Sequence, residues 1–199
     1  MPLPLLWLGA AAVSALAIKS AADDRKKAYQ DRRLKTGVDR YSGEHGSAVG
    51  IYPTDLFHSE VVVEPEIGSV VCCGIGGLFE HTGIWVGDNT IVELDGNGLI
   101  KPISARRFLG NRSGDNIFVA CDSNATPLAL PEIAHKALDQ IYQYEDYHLI
   151  ENNCHQFIWH LFDELKTPIT SFSSLNENLA KYYDRVIYWD LAKIDDLRY

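Results

Sequence analysis

Between residues 60 and 121 the chain alternates short β-branched or aromatic runs with Gly, Asn and Asp punctuation, and after residue 130 the apolar spacing becomes helical. Runs at 60–64, 68–73, 81–86, 90–94, 98–103 and 116–121 have the length and composition of strands. Pro131 opens a segment in which Ile133, Ala137 and Ile141, with Ala134, Leu138 and Tyr142, share one helical face. A second stripe, Cys154, Phe157, Ile158, Leu161, Phe162 and Leu165, predicts a helix that begins at the cysteine. Ser174-x-x-Glu177 is a capping box for a third helix. Strands first and helices after predict an α+β fold, a curved antiparallel sheet with helices packed on one side. The aromatic stretch from Tyr182-Tyr183 to Trp189, with Ile187 and Leu191, reads either as a cover for the core or as a lid over a substrate groove.

The first eighteen residues stand apart from this pattern. Leu3 to Ile18 is an uncharged, apolar run whose only strongly polar member is Ser14. As a helix it spans roughly 24 Å against a hydrocarbon core of ~30 Å, a marginal crossing. Lys19, Arg25, Lys26, Lys27, Arg32, Arg33 and Lys35 follow it and no Lys or Arg precedes it, which predicts an uncleaved N-terminal membrane anchor with the body on the cytoplasmic side. The competing reading is a cleaved signal peptide with Ala15-Leu16-Ala17 as the site. The expected organisation is an anchor over 1–18, a charged juxtamembrane linker over 19–50 and a catalytic domain over 51–199.

Charge and cysteine usage narrow the function classes. The chain of 199 residues carries a net charge of −9, and residues 1–40 hold eight Lys/Arg against four Asp/Glu, so the remainder sums to −13. So acidic a body argues against nucleic acid as a partner. Cys72 and Cys73 are neighbours that a strand would point to opposite faces, so they do not begin a disulfide framework. No His/Cys spacing matches a zinc site, and neither metal nor cofactor is expected. Reduced thiols fit a reducing compartment, in which the sequons Asn111-Arg112-Ser113 and Asn124-Ala125-Thr126 are chance matches.

Cys154 is the candidate nucleophile. Asn152 and Asn153 are good N-cap residues, and a thiol at that helix end meets the positive pole of the dipole and free backbone N–H groups. Such placement lowers a thiol pKa from ~8.5 into the ~3.5–7.5 range, most strongly beside an imidazolium. Of the histidines nearby, His155 projects about 100° away around the helix and His160 about 120°. His81, on a strand expected to lie beneath the helix, is the better base, with Gly83 and Gly87 on its face leaving room for the helix to approach. Glu93, isolated between apolar residues, is the third candidate, accepting the far ring N–H of His81. Register decides that last assignment. A three-residue Gly87-Asp88-Asn89 loop pairs Glu93 with Gly83 on the face of His81, whereas a strict two-residue Asp88-Asn89 turn puts it on the other face.

Three segments, Gly68-Ser69-Val70-Val71, His81 to Leu94 (HTGIWVGDNTIVEL) and Tyr147 to Phe157 (YHLIENNCHQF), resemble the lecithin:retinol acyltransferase-like, or NC-domain, family. That family is a circularly permuted branch of the papain-like NlpC-type cysteine hydrolases. The resemblance covers roughly residues 66–165 and implies a permuted papain-like fold, with Cys154 as nucleophile, His81 as base and Glu93, twelve positions further on, as the group that orients it. Two departures are visible: Glu93 stands where family acyltransferases commonly carry a second histidine, and Asn-Cys-His-Gln-Phe replaces Asn-Cys-Glu-His-Phe.

The sequence therefore predicts a membrane-anchored cysteine hydrolase or acyltransferase. It would work through an acyl-enzyme on an ester, thioester or amide, with a lipid or lipidated substrate suggested by the anchor. The alternatives are an amidase or peptidase with a peptide substrate, or a binding module that keeps the fold without turnover.

Overall fold

The computed structural model describes residues 39–43, 46–54, 61–75, 79–110, 112, 114–148 and 152–194. The expected anchor over 1–18 and most of the linker lie outside them, and among the described residues no helix is long and apolar enough to cross a membrane. The elements run β1 (Val49–Ile51), β2 (Val62–Val63), β3 (Val70–Ile75), β4 (Phe79–Gly87), β5 (Thr90–Leu94), β6 (Ile100–Ser104), α1 (Ala105–Leu109), β7 (Phe118–Cys121), α2 (Pro131–Asp139), α3 (Cys154–Phe162), α4 (Phe172–Tyr183) and β8 (Ile187–Ala192). The fold is α+β, with a mostly antiparallel sheet in the order β1-β8-β7-β3-β4-β5-β6, and β2 also pairing with β8.

The sheet is not purely antiparallel. β1 and β2 both pair parallel with β8. Hairpins force antiparallel neighbours only where strands follow one another closely, and here almost the whole domain separates the partners. β1 also draws Val49 and Gly50 of the expected linker into the sheet. The aromatic C-terminal stretch belongs to the core and is not a lid: Tyr183 packs against the core from the end of α4, and all six residues of β8 are buried between β7 and the β1/β2 edge.

Both faces of the sheet are packed. Val70, Cys72, Ile84 and Val92 point toward α2, α3 and α4, where they meet Ile133, Phe157, Ile158 and Leu175. Val71, Cys73, Trp85 and Ile91 point the other way, against Ala105 and Phe108 of α1. A doubly covered strand reads as a continuous apolar run, which is why Val70-Val71-Cys72-Cys73 shows no alternation. The expectation of helices on one side holds for the three longer ones, while α1 adds a short lid to the opposite face. All four cysteines are buried.

The helices end earlier or begin earlier than their apolar stripes suggested. α2 stops at Asp139, leaving Tyr142 exposed in a left-handed turn at φ 69°. α3 stops at Phe162 with Asp163 as its C-cap, so Leu165 is outside the helix and exposed. α4 is capped by Ser171, whose Oγ accepts from the Ser174 amide at 3.1 Å, three residues before the expected start. The earlier start lets Phe172 bury its ring against Trp189, with centroids 5.2 Å apart.

The β4–β5 hairpin sets the register on which the site depends. Asp88 and Asn89 both have positive φ, 46° and 56°, and form a two-residue turn closed by Gly87 opposite Thr90. A bulge between Trp85 and Gly87 then inserts Val86, so Trp85 faces Ile91 and Ile84 faces Val92. The turn is thus the two-residue form, but the bulge restores the register of the longer loop. Glu93 therefore shares the pleat face of His81, Gly83 and Trp85.

Gly83 serves a different neighbour from the one expected. A Cβ there would lie 2.5 Å from Ile91 Cγ2, 3.0 Å from the Val92 carbonyl oxygen and 3.1 Å from Phe108 Cε2. The glycine makes room for Phe108 of α1, not for the cysteine helix, and Gly87 sits beside Ile67. Gly83→Ala is expected to cost about 1–3 kcal/mol through overpacking. Urea unfolding checks this, and a midpoint equal to that of the parent would show the contact to be slack.

Candidate active site

Cys154 is placed by the two asparagines before it. Asn153 caps α3, its Oδ1 accepting from the His155 and Gln156 amides at 3.0 and 3.1 Å, while its Nδ2 donates to the Thr170 carbonyl at 3.2 Å. Asn152 pairs through its backbone with His148 and donates from Nδ2 to the Asp146 carbonyl at 3.0 Å. The cap ties the helix start to chain on both sides, so the thiol enters the fold at a fixed point. Apolar neighbours in the same helix turn its sulfur inward, and Cys154 is 4% exposed.

His81 lies near the start of β4 and is as deeply buried as the thiol. Its Nε2 is 2.8 Å from Glu93 Oε2, which leaves Nδ1 as the nitrogen for Cys154. The ring is close enough to the sulfur to act on it as hydrogen-bond partner and as charge. The structure thus brings Cys154, His81 and Glu93 into one chain of contacts, with His81 and Glu93 on the pleat face that packs on α1 rather than on the face expected beneath α3.

Behind them stands a second set of residues that the sequence reading left out. Arg112 donates from Nη2 to Glu93 Oε2 at 2.9 Å and from Nη1 to the Phe108 carbonyl. Its guanidinium also sits 5.0 Å from the centre of the Phe108 ring, and that ring in turn is 5.2 Å from His81. Lys101 donates to Asp95 Oδ2 at 2.6 Å and lies 3.8 Å from Glu93 Oε1. The short helix α1 and the loop after it therefore buttress the His81–Glu93 pair from the face opposite α3. Arg112 occupies the middle of the Asn-Arg-Ser triplet, and nothing local marks it, because its partners are nineteen and four residues away.

His155 is the other omission. Its Nδ1 is 3.9 Å from Cys154 Sγ and 3.2 Å from Thr82 Oγ1. The 100° separation around the helix holds for the Cα–Cβ directions, but the imidazole is long enough to swing back over the strand and pass the sulfur. His160, also set aside by that geometry, stays away from the thiol: its pKa is lowered by burial and modulated by Glu145, Lys166 and Asp163.

The electrostatics follow from these neighbours. Burial alone would push the Cys154 thiol up, but hydrogen bonds and charge from His155 and His81 hold it well below its ordinary value. Burial would lower His81, yet the contacts to Cys154 and Glu93 outweigh it and raise its pKa. Glu93, despite burial that favours its neutral form, is kept below the usual carboxylate range by His81 and Arg112. All three shifts favour thiolate, imidazolium and carboxylate together.

The thiol opens onto a cavity of about 490 Å³ whose wall includes Phe79, Glu80, Tyr147 and Phe172. Among the described residues no three His, Cys, Asp or Glu side chains converge to hold a metal ion. The arrangement offers a buried nucleophile, a carboxylate-backed imidazole and the positive end of a helix dipole beside one accessible space. Compared with models of known protein families and with curated proteins, the chain matches none.

Proposed function

We propose that the protein is a cysteine hydrolase or acyltransferase that works through an acyl-enzyme on Cys154. The observation that carries this reading is the thiol of Cys154 set between two imidazoles, one of them backed by Glu93 at 2.8 Å, at the wall of a cavity. His81 takes the thiol proton, and the sulfur attacks an ester, thioester or amide carbonyl. The developing oxyanion lies at the positive end of the α3 dipole, where the Cys154 amide, which the Asn153 side chain does not engage, donates to it. As the tetrahedral centre collapses, the leaving group takes the proton from His81. Water or an acceptor then gives its proton to His81, attacks the acyl carbon and restores the free thiol. The motifs around His81 and Cys154, and the sheet-and-helix arrangement that joins them, support placing the chain with the permuted papain-like, NC-domain enzymes. The apolar N-terminus supports a membrane anchor with a cytoplasmic body and a lipid-linked substrate.

The test is alkylation of the intact protein by limiting iodoacetamide from pH 5 to 9, read by mass, with Cys154→Ala as control. The sign of each shift sets the profile. Cys154, held well below 9.0 by His155 and His81, keeps its thiolate form to lower pH than an ordinary thiol and loses it only as pH falls through its lowered pKa. His81, raised above 6.5, keeps its proton until pH rises through the raised value. Labelling should therefore reach a plateau by neutral pH, and turnover should be bell-shaped between the two edges. A half-point near the ordinary thiol value of about 8.5 would sink the ion-paired nucleophile and leave a binding module.

A further inference from the structure

We infer that the substrate carries an ammonium group close to the carbonyl that Cys154 attacks, and that Glu80 at the cavity wall receives it. The inference rests on the proposed acyl-transfer reading and names its substrate class. Glu80 precedes His81 on β4 and lines the same cavity as the thiol. It occupies the pleat face of Thr82, the side on which His155 packs. Across the ladder its neighbour is Gly74, so no side chain from β3 shields it.

The charge balance of the cavity makes this carboxylate decisive. Glu93 is neutralised behind the site by Arg112, and Asp95 by Lys101. The Cys154 thiolate and the His81 imidazolium neutralise one another. Glu80 makes no ion pair of its own among the described residues, and it is half-buried near the sulfur, where burial raises its pKa and His155 lowers it. The described residues lining the cavity include no Lys or Arg, and its basic side chains are the imidazoles of His81 and His155. A phosphate or carboxylate beside the scissile carbonyl would meet the like charge of Glu80, whereas an ammonium would complete a pair with it. The aromatic walls from Phe79, Tyr147 and Phe172 suit the same ligand, since ring faces attract cations as well as apolar chains. Two sources share this chemistry, an aminoacyl group on a peptide and one on a long-chain amphiphile.

The experiment measures acyl-enzyme formation on the full chain with S-ethyl thioesters of glycine, N-acetylglycine and succinate, which place a positive, neutral or negative group near the carbonyl. The readout is the ratio of kcat/KM for glycyl over acetylglycyl thioester, in the parent, Glu80→Gln and Glu80→Lys. Because each ratio compares two substrates on one enzyme, changes in thiol reactivity cancel. The parent should prefer glycyl by about tenfold or more and reject succinyl. Glu80→Gln should bring the ratio toward one, and Glu80→Lys should bring it below one and raise kcat/KM for succinyl above that for glycyl. An S-dodecyl glycyl thioester used better than the S-ethyl one supports the inference with a lipid source, and equal use supports it with a peptide source. Ratios unchanged by either substitution would overturn it, as would a parent that prefers succinyl. If none of the thioesters acylates Cys154, it is the acyl-enzyme reading itself that fails.

Discussion

Replacing His81 with alanine is expected to lower turnover on any acyl substrate by about 10²–10⁴-fold, the usual worth of a positioned general base. The loss has two sources. The thiol would lose the imidazole that takes its proton, and the leaving group would lose the acid that returns it. The geometry offers a rival, because His155 Nδ1 lies 3.9 Å from the sulfur. The two rings differ in what stands behind them. His81 has a carboxylate on its other nitrogen at 2.8 Å, which stabilises the imidazolium as it forms. For His155 the Thr82 hydroxyl and the sulfur share one nitrogen, Nδ1, and among the described residues no carboxylate is hydrogen-bonded to that ring. His155→Ala should therefore raise the thiol pKa and weaken the reaction less than His81→Ala does. Turnover and iodoacetamide labelling on both variants separate them: if His155→Ala costs more and His81→Ala keeps a tenth of the parent rate, the base is His155.

The difference between what the sequence disclosed and what it withheld follows the range of the interactions. β5 was legible at both ends because Thr90-Ile-Val-Glu-Leu is bounded by turn residues and buries its apolar side chains on two packed faces. The start of α3 at Cys154 was legible because an Asn N-cap and an apolar stripe are local signals. The pairing of Glu93 with His81 was readable only as two alternatives. A bulge at Val86 that corrects the register of a two-residue turn has no local signature beyond a glycine at φ 94°. α1 escaped notice because five residues are too short for a periodicity to appear. With it went Phe108 and Arg112, whose roles exist only once β5 and α1 are folded against each other. The parallel strands at the β8 edge join the two ends of the domain, a contact no window of sequence contains.

Glu93→Ala should unfold the domain far more readily than Glu93→Gln, and the contrast isolates what the carboxylate does. Glu93 is 1% exposed, and a single oxygen, Oε2, accepts from both His81 and Arg112. Alanine leaves the partly buried guanidinium of Arg112 without its carboxylate and the imidazole N–H of His81 without its acceptor, and breaking a buried pair in this way costs about 3 kcal/mol or more. For a domain of this size about 3 kcal/mol corresponds to a fall in Tm of roughly 6–12 °C. Glutamine keeps one oxygen able to accept both bonds, so its Tm should fall much less. It removes the negative charge, however, and the imidazolium of His81 loses its counter-ion, so turnover should drop by about 10²-fold or more while the fold survives. The pH dependence carries its own sign. Because Glu93 is depressed below 4.5, its contribution is fully present above that value and is lost as pH falls through its folded pKa. Because His81 is raised above 6.5, its share is present below that value and is lost as pH rises through its folded pKa. The stability advantage of the parent over Glu93→Gln should therefore be largest between these edges and should shrink in acid. Denaturant unfolding of the two proteins at a series of pH values measures it directly, and a difference that stays flat down to pH 3 would mean that Glu93 is held by shape rather than by charge.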